Sequence, residues 1–349
     1  MAGNGKRRPS MNDVARAAGV SQTTVSLVLN DPENSGIPQA TQERVLDAVK
    51  TVGYRTNRLA RAMRLSRTDT LGFVADDIAT SPYANRMIKG AQDAAWEAGR
   101  LLLIVNTGAL DRPDHGSRER AAVEQLLERQ VDGIVLAAMF HRVIDPPPAL
   151  AEVRSVLLDA RAEDDSMSSV VPDEYEAAHT ATRYLLDHGH TRIAHMTTNY
   201  PSAAPKLRLA GYRDALLQRG VTPDPKLEVT GISNTPGGRE MMERLLRLST
   251  PPTAVFCYND QAAMGAYQAA AAHGIGIPDD LSIVGFDDQE LIAADVVPGL
   301  STMKLPHHEM GRWAVDRLLD ESDEPTHARM RCELIERDSV ARVTDASSS

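Results

Sequence analysis

Two sets of residues in this chain have types and spacing suited to chemistry, and both suit recognition rather than bond making. The first is Gln22, Thr23 and Ser26, uncharged hydrogen-bonding side chains on the run QTTVSLVL. On an exposed helix face such groups can contact base edges in a DNA major groove. The second set stands at the ends of apolar runs. Asp77 follows LGFVAD, Asp159 follows SVLL, Asn259 and Asp260 follow AVFCY, Asp287 and Asp288 follow SIVGF, and Arg208 opens a helix in KLRLAGY. One such residue alone reads as a cap or turn residue. Five at comparable places in the chain read as the lining of one shared binding crevice.

Catalysis finds little support. The adjacent acids Asp76-Asp77, Asp164-Asp165 and Asp287-Asp288 could suggest paired-carboxylate glycoside hydrolysis. Neighbours in sequence point apart, however, and none of these pairs sits in a catalytic motif. No GxGxxG follows the first apolar run and no GxxxxGK[ST] occurs, so nucleotide chemistry has no foothold. His188, His190 and His195 in HGHTRIAH flank a helix end and the strand after it, and read as structural rather than metal-binding. The expectation is a non-enzyme with no cofactor and no metal.

The elements that must present the first set are two short amphipathic helices in NDVARAAGVSQTTVSLVLN. Val14, Ala15 and Ala18 share one apolar face, Gly19 permits a sharp turn, and Ser21 caps the second helix, whose Val25, Val28 and Leu29 face inward. Pro38 starts a longer helix in which Val45, Leu46, Val49 and Val52 recur at helical spacing. This is a helix-turn-helix whose second helix is the reader. Charge agrees with it. Residues 1–67 hold eleven Lys and Arg against five Asp and Glu, a surplus of six; with a formal charge of −10 overall, residues 68–349 carry −16. A basic head on an acidic body suits a protein that grips phosphates at one end only.

Residues 56–68, TNRLARAMRLSRT, join head to body. Asn57 can cap one or two helical turns, with Arg58, Arg61 and Arg64 around Leu59, Ala60, Ala62 and Met63. So short a helix forms only when something packs it. Two copies in a minor groove would do so, with Met63 as an apolar wedge between base steps and the arginines on phosphates. After Thr70, apolar strands alternate with amphipathic helices, beginning with LGFVA, a helix carrying Met87, Ile88, Ala91, Ala95 and Trp96, and LLLIVNT. That rhythm predicts parallel sheets covered by helices on both faces, with ligands at the carboxyl ends of strands.

The head (DVARAAGVSQTTVSLVLN), the linker (NRLARAM) and the strand-end motifs, in this order over nearly the whole chain, resemble the LacI/GalR family of bacterial transcriptional regulators. The resemblance implies an α/β chain: an N-terminal three-helix helix-turn-helix domain and hinge helix, then a two-lobed body like the periplasmic sugar-binding proteins with parallel doubly wound sheets. It implies a homodimeric repressor on double-stranded operator DNA, with Gln22 and Thr23 at the principal base-reading positions and Met63 where an apolar residue opens the minor groove. Leu27 stands where an arginine is frequent, which favours an apolar contact such as a thymine methyl. For a small polar effector, sugar or related metabolite, it implicates Asp77, the SPY segment with Tyr83, Asp159, Asp173, Arg208, Asn259 and Asp287. Carboxylates, an amide and an arginine suit a polyol, because each can satisfy two hydroxyls at once.

The chain also departs from that pattern. Glu174 and Tyr175 follow Asp173 where Asn and Gly are common, Leu305 replaces a frequent Gln, and Ile232 stands where some members stack an aromatic on the sugar. Tyr83 and Tyr175 are the aromatic candidates in a chain that is only 4% aromatic. The boundaries expected are 1–55 for the DNA-binding domain, 56–68 for the hinge helix and linker, 69–342 for the effector-binding and dimerisation body, and 343–349 for a frayed tail. Within the body, lobe one takes about 69–171 and 303–330 and lobe two about 172–302 and 331–342. No apolar run reaches membrane-spanning length and no export segment opens the chain. With two distant cysteines, Cys257 and Cys332, read as reduced thiols, the expected location is cytoplasmic.

Overall fold

Alternation of apolar strands and amphipathic helices gives two units in the computed structural model, residues 1–68 and 69–349, each with its own core. The structure describes residues 9–30, 35–54, 67–77 and 85–343. Asn57, Arg58, Met63 and Arg64 of the expected hinge helix, and Tyr83, lie outside the described residues.

The head holds three helices: α1 (Met11–Ala18), α2 (Gln22–Asn30) and α3 (Gln39–Val52). The Ser10 backbone N–H donates to Asp13 Oδ2 at 2.8 Å, fixing the start of α1. Gly19 then takes φ +64°, the left-handed turn that a side chain would resist, and the Thr24 N–H donates to Ser21 Oγ at 3.0 Å to cap α2. Val14, Ala15, Ala18, Val25, Val28, Val45, Ala48 and Tyr54 close one small core. Leu46 is 43% exposed: it lies one residue, about 100°, off the α3 stripe made by Val45, Ala48, Val49 and Val52.

The body contains two six-stranded sheets. The first runs β11-β5-β4-β3-β1-β2, from β1 (Thr70–Asp76), β2 (Leu101–Gly108), β3 (Gly133–Ile144), β4 (Ser155–Ala162), β5 (Ser168–Pro172) and β11 (His327–Met330), all parallel. Helices α4 (Asn85–Glu97), α5 (His115–Glu128) and α10 (His307–Leu319) cover it, with one apolar core on each face. The second runs β12-β10-β9-β8-β6-β7, from β6 (Ile193–Thr198), β7 (Glu228–Gly231), β8 (Ala254–Cys257), β9 (Ser282–Asp287), β10 (Ser301–Lys304) and β12 (Glu333–Ile335). Its helices are α6 (Glu174–Asp187), α7 (Ala204–Gln218), α8 (Thr235–Leu246) and α9 (Asp260–Ala272); only β12 pairs antiparallel.

The chain crosses between sheets three times, after Pro172, after Lys304 and after Met330, so each lobe is built from separate stretches. Where the chain enters the body, the buried guanidinium of Arg100 donates from Nη1 to Asp69 at 2.6 Å and Asp132 at 2.9 Å, tying together the starts of β1, β2 and β3. Trp96, expected on the apolar face of its helix, is 83% exposed; Met87, Ala91, Ala94 and Ala95 fill that face instead. Every residue of the inner strand β9 is buried, whereas the edge strand β2 leaves Leu101 51% and Ile104 38% exposed. Among the described residues, no helix is long and apolar enough to cross a membrane.

Candidate functional site

In the head, the capped start of α2 leaves Gln22 and Thr23 exposed, Ser26 half-buried and Leu27 42% exposed, while Val25 and Val28 anchor the helix from behind. Polar groups with their anchors on the opposite face of one rigid helix form a surface that can enter a groove.

In the body, the carboxyl ends of β1 and β9 carry Asp76 and Asp287, Asp159 lies within β4 where its pairing with β3 shifts register, and Arg208 is on α7. Asp159 and Asp287 both adopt left-handed backbone, φ +54° and φ +103°, unfavourable for side-chain-bearing residues and kept where the surroundings impose it. Lobe contact is direct: the Ala203 N–H donates to the His141 carbonyl at 2.8 Å, and the rings of Phe140 and Tyr200 approach to 4.6 Å between centroids. These contacts bring β3 of one lobe against the start of α7 in the other.

Arg208 is the centre of the second lobe's contribution. Its Nε donates to Glu174 Oε2 at 2.6 Å, its Nη1 donates to the Tyr258 carbonyl, and its guanidinium carbon lies 3.5 Å from the Phe286 ring centroid. Both partners of the ion pair are 3% exposed. The helices bearing them meet closely because Gly211 has no side chain: a Cβ there would come 2.3 Å from the Tyr175 carbonyl. Burial works against the Arg208 charge, but Glu174, Tyr258 and Asp287 together outweigh it and strengthen the protonated state.

Across the cleft, Arg142 Nη1 stands 2.7 Å from Asp76 Oδ2, both largely buried. Asp159 Oδ1 has no hydrogen-bond partner among the described residues. Burial, then the neighbouring charges of Glu174 and Asp76, push its carboxyl well above the usual aspartate range. Burial likewise pushes Asp287 up to about 7, although Arg208 and the Gln289 amide, 3.0 Å away, hold it down. Burial thus favours the protonated form of both carboxyls, the form that can give as well as accept a hydrogen bond. Behind them, Asp260 accepts from Thr302 Oγ1 at 2.6 Å and from the Gln289 N–H at 2.7 Å.

The structure thus brings together Asp159, Arg208 and Asp287 of the residues singled out in the sequence. Others serve elsewhere. Asp173 caps α6 by accepting from the Glu176 N–H at 3.2 Å. Asn259 caps α9 through the Ala262 N–H at 2.8 Å and spends its amide on the Ser233 carbonyl at 2.9 Å. Asp77 is half-buried, and the preceding residue, Asp76, is the one buried against Arg142. The Tyr175 hydroxyl donates to Asp214 at 2.8 Å between α6 and α7, and Ile232 is 70% exposed. Arg142 and His141 escaped sequence reasoning. Their signal was the polar tail MFHR on an apolar strand, which continues β3 past Ala138. A larger hollow of about 1140 Å³ lies apart from this chemistry, between the Pro146–Pro148 turn and the end of α10, where Arg154 and Arg317 are already bonded to carbonyls of residues 320–324.

Comparison with known proteins agrees with both halves. Residues 10–57 match the model of the bacterial regulatory proteins of the lacI family, and residues 182–340 match a periplasmic binding protein-like domain. The HTH-type transcriptional repressor PurR of Vibrio cholerae is 30% identical over 341 residues, 96% of this chain and 99% of that protein. The ribose operon repressor of Escherichia coli is 32% identical over 329 residues, 93% and 96% respectively. The structure of the transcriptional regulator CelR with cellobiose superposes with TM-score 0.66 at 29% identity, covering 95% of this chain and all of that one. The chain belongs to the LacI family, as a DNA-binding transcriptional repressor with a small-molecule-binding body.

Proposed function

We propose that this repressor binds operator DNA as a homodimer, with Gln22, Thr23, Ser26 and Leu27 of each protomer facing bases, and that a small polyhydroxylated effector in the inter-lobe cleft controls its grip. The observation that carries the effector half is the buried Oδ1 of Asp159, unpartnered among the described residues, near the charges of Glu174 and Arg208 of the other lobe. A buried polar atom without a partner costs free energy that a ligand hydroxyl can recover. The ribose repressor and the cellobiose-bound regulator among the similar proteins support a sugar-like ligand.

Asp76, Arg142, Asp159, Arg208 and Asp287 are the side chains assigned to the effector. Binding and signalling need no catalysis, and the reading assigns none. Ligand closure of the lobes would alter the spacing of the two 56–68 linkers. Moving a population from 1:99 to 99:1 in this way takes about 5.5 kcal/mol of differential affinity. The test is thermal-shift screening of neutral sugars, sugar phosphates and nucleobases, followed by calorimetry on any hit. A ligand specific to the folded body raises Tm, and Asp159→Asn removes that rise. A hit whose effect survives Asp159→Asn unchanged contradicts the assignment.

A further inference from the structure

Glu174 stands at the first position of α6. Its carboxylate is committed to Arg208 Nε at 2.6 Å, with both side chains out of water. The arginine is further held by the Tyr258 carbonyl and the Phe286 ring, so it is charge-matched and oriented before any ligand arrives. The cleft's other guanidinium, Arg142, stands 2.7 Å from Asp76. Asp159 and Asp287 are additional to these two pairs; the first has an open Oδ1 and the second is held by the Gln289 amide. Four carboxyl groups thus face two guanidiniums that already have anionic partners.

We propose that Glu174 determines effector class: by occupying Arg208 it reserves the cleft for an uncharged hydroxyl-bearing molecule and excludes phosphorylated or carboxylated ones. The inference rests on the cleft being the effector site, as proposed above. An incoming anion would be stripped of water beside Arg208 and Arg142, whose charges Glu174 and Asp76 already match, so neither guanidinium is left to receive it. A neutral hydroxyl needs only a hydrogen-bond partner, and the buried Oδ1 of Asp159, which has none among the described residues, can provide one.

The test compares wild type with Glu174→Gln, which keeps the shape but removes the charge, and Glu174→Asn should the first variant fold poorly by circular dichroism. Calorimetry uses matched probes: D-ribose and D-ribose 5-phosphate, cellobiose and cellobionate, and inorganic phosphate alone. Wild type is expected to take a neutral member at least about tenfold more tightly than its anionic counterpart, and to show no saturable phosphate binding. The Gln variant is expected to lose that preference and to acquire phosphate binding. Equal wild-type affinity for a neutral and an anionic counterpart, or a variant as blind to phosphate as wild type, overturns the role of Glu174. If the variant gains phosphate while no neutral sugar binds wild type, the charge role stands and the sugar reading falls. If a neutral sugar binds wild type but the variant gains no anion, the sugar reading stands and the charge role falls.

Discussion

Arg86 on α4 of the first lobe reaches Glu290 in the second at 3.3 Å, and lies 4.0 Å from Asp288, which Arg337 holds at 2.7 Å. Asp288 adjoins Asp287 in the chain, so this inter-lobe pair closes next to the effector chemistry. Glu290 is 78% exposed, and a pair so open to water contributes about 0.2–1 kcal/mol. Arg86→Ala is therefore expected to leave thermal stability nearly unchanged while speeding effector release a few-fold, read by stopped-flow fluorescence. An unchanged release rate would remove Arg86 from the closing mechanism.

Gly211→Ala would place a methyl 2.3 Å from the Tyr175 carbonyl and 2.9 Å from the His179 nitrogen, backbone atoms that cannot swing aside. The two helices must separate, and Arg208 moves away from Glu174 with them. The expected loss is about 1–3 kcal/mol of stability in urea unfolding, accompanied by weaker effector binding. A variant with wild-type stability would show that α6 and α7 have more slack than their contact implies.

The raised carboxyls set a pH dependence with a definite sign. Asp287 moves from 3.8 to about 7, so between those values the folded state holds a proton that the unfolded state has lost. Its contribution to stability is complete at pH below 3.8 and declines as pH rises to about 7, with a slope of at most about 1.4 kcal/mol per pH unit. Asp287→Asn keeps the hydrogen-bonding shape without the titration. Unfolding free energies from pH 4 to 8 should therefore fall less steeply for the variant than for wild type. Parallel curves would contradict the buried state of Asp287.

Gln22→Ala removes an exposed side chain proposed to face bases while leaving the Val14, Val25 and Val45 core intact. Discrimination between operator and random duplex should drop by about 1–3 kcal/mol, with non-specific binding and its salt dependence preserved. Equal losses on both duplexes, in a fluorescence anisotropy titration, would assign Gln22 a phosphate rather than a base.

Much of the fold was legible because its signals are local. Val14, Val25 and Val45 sit on stripes set by helical period, and two-sided burial makes inner strands such as β1 and β9 nearly continuous apolar runs. Asp287 was legible for the same reason, since it ends the apolar run and the strand together, whereas Asp159 ends its apolar run while β4 continues to Ala162. Asp173 and Asn259 end runs too, yet a helix starts immediately after each, and its free N–H groups claim the side chain first. Glu174 and Arg208 are 34 residues apart on different helices, and nothing local couples them; only the close approach at Gly211 does. Trp96 shows the converse, because an amphipathic pattern does not say where the apolar stripe ends.

The central claim is that cleft occupancy governs the grip on DNA, and operator affinity measured by fluorescence anisotropy with and without a calorimetrically identified effector tests it most directly. For wild type the account predicts a shift of roughly tenfold or more in operator Kd. For Asp159→Asn it predicts the same ligand-free Kd and no shift. An effector that binds the body tightly yet leaves wild-type operator Kd unchanged would contradict it.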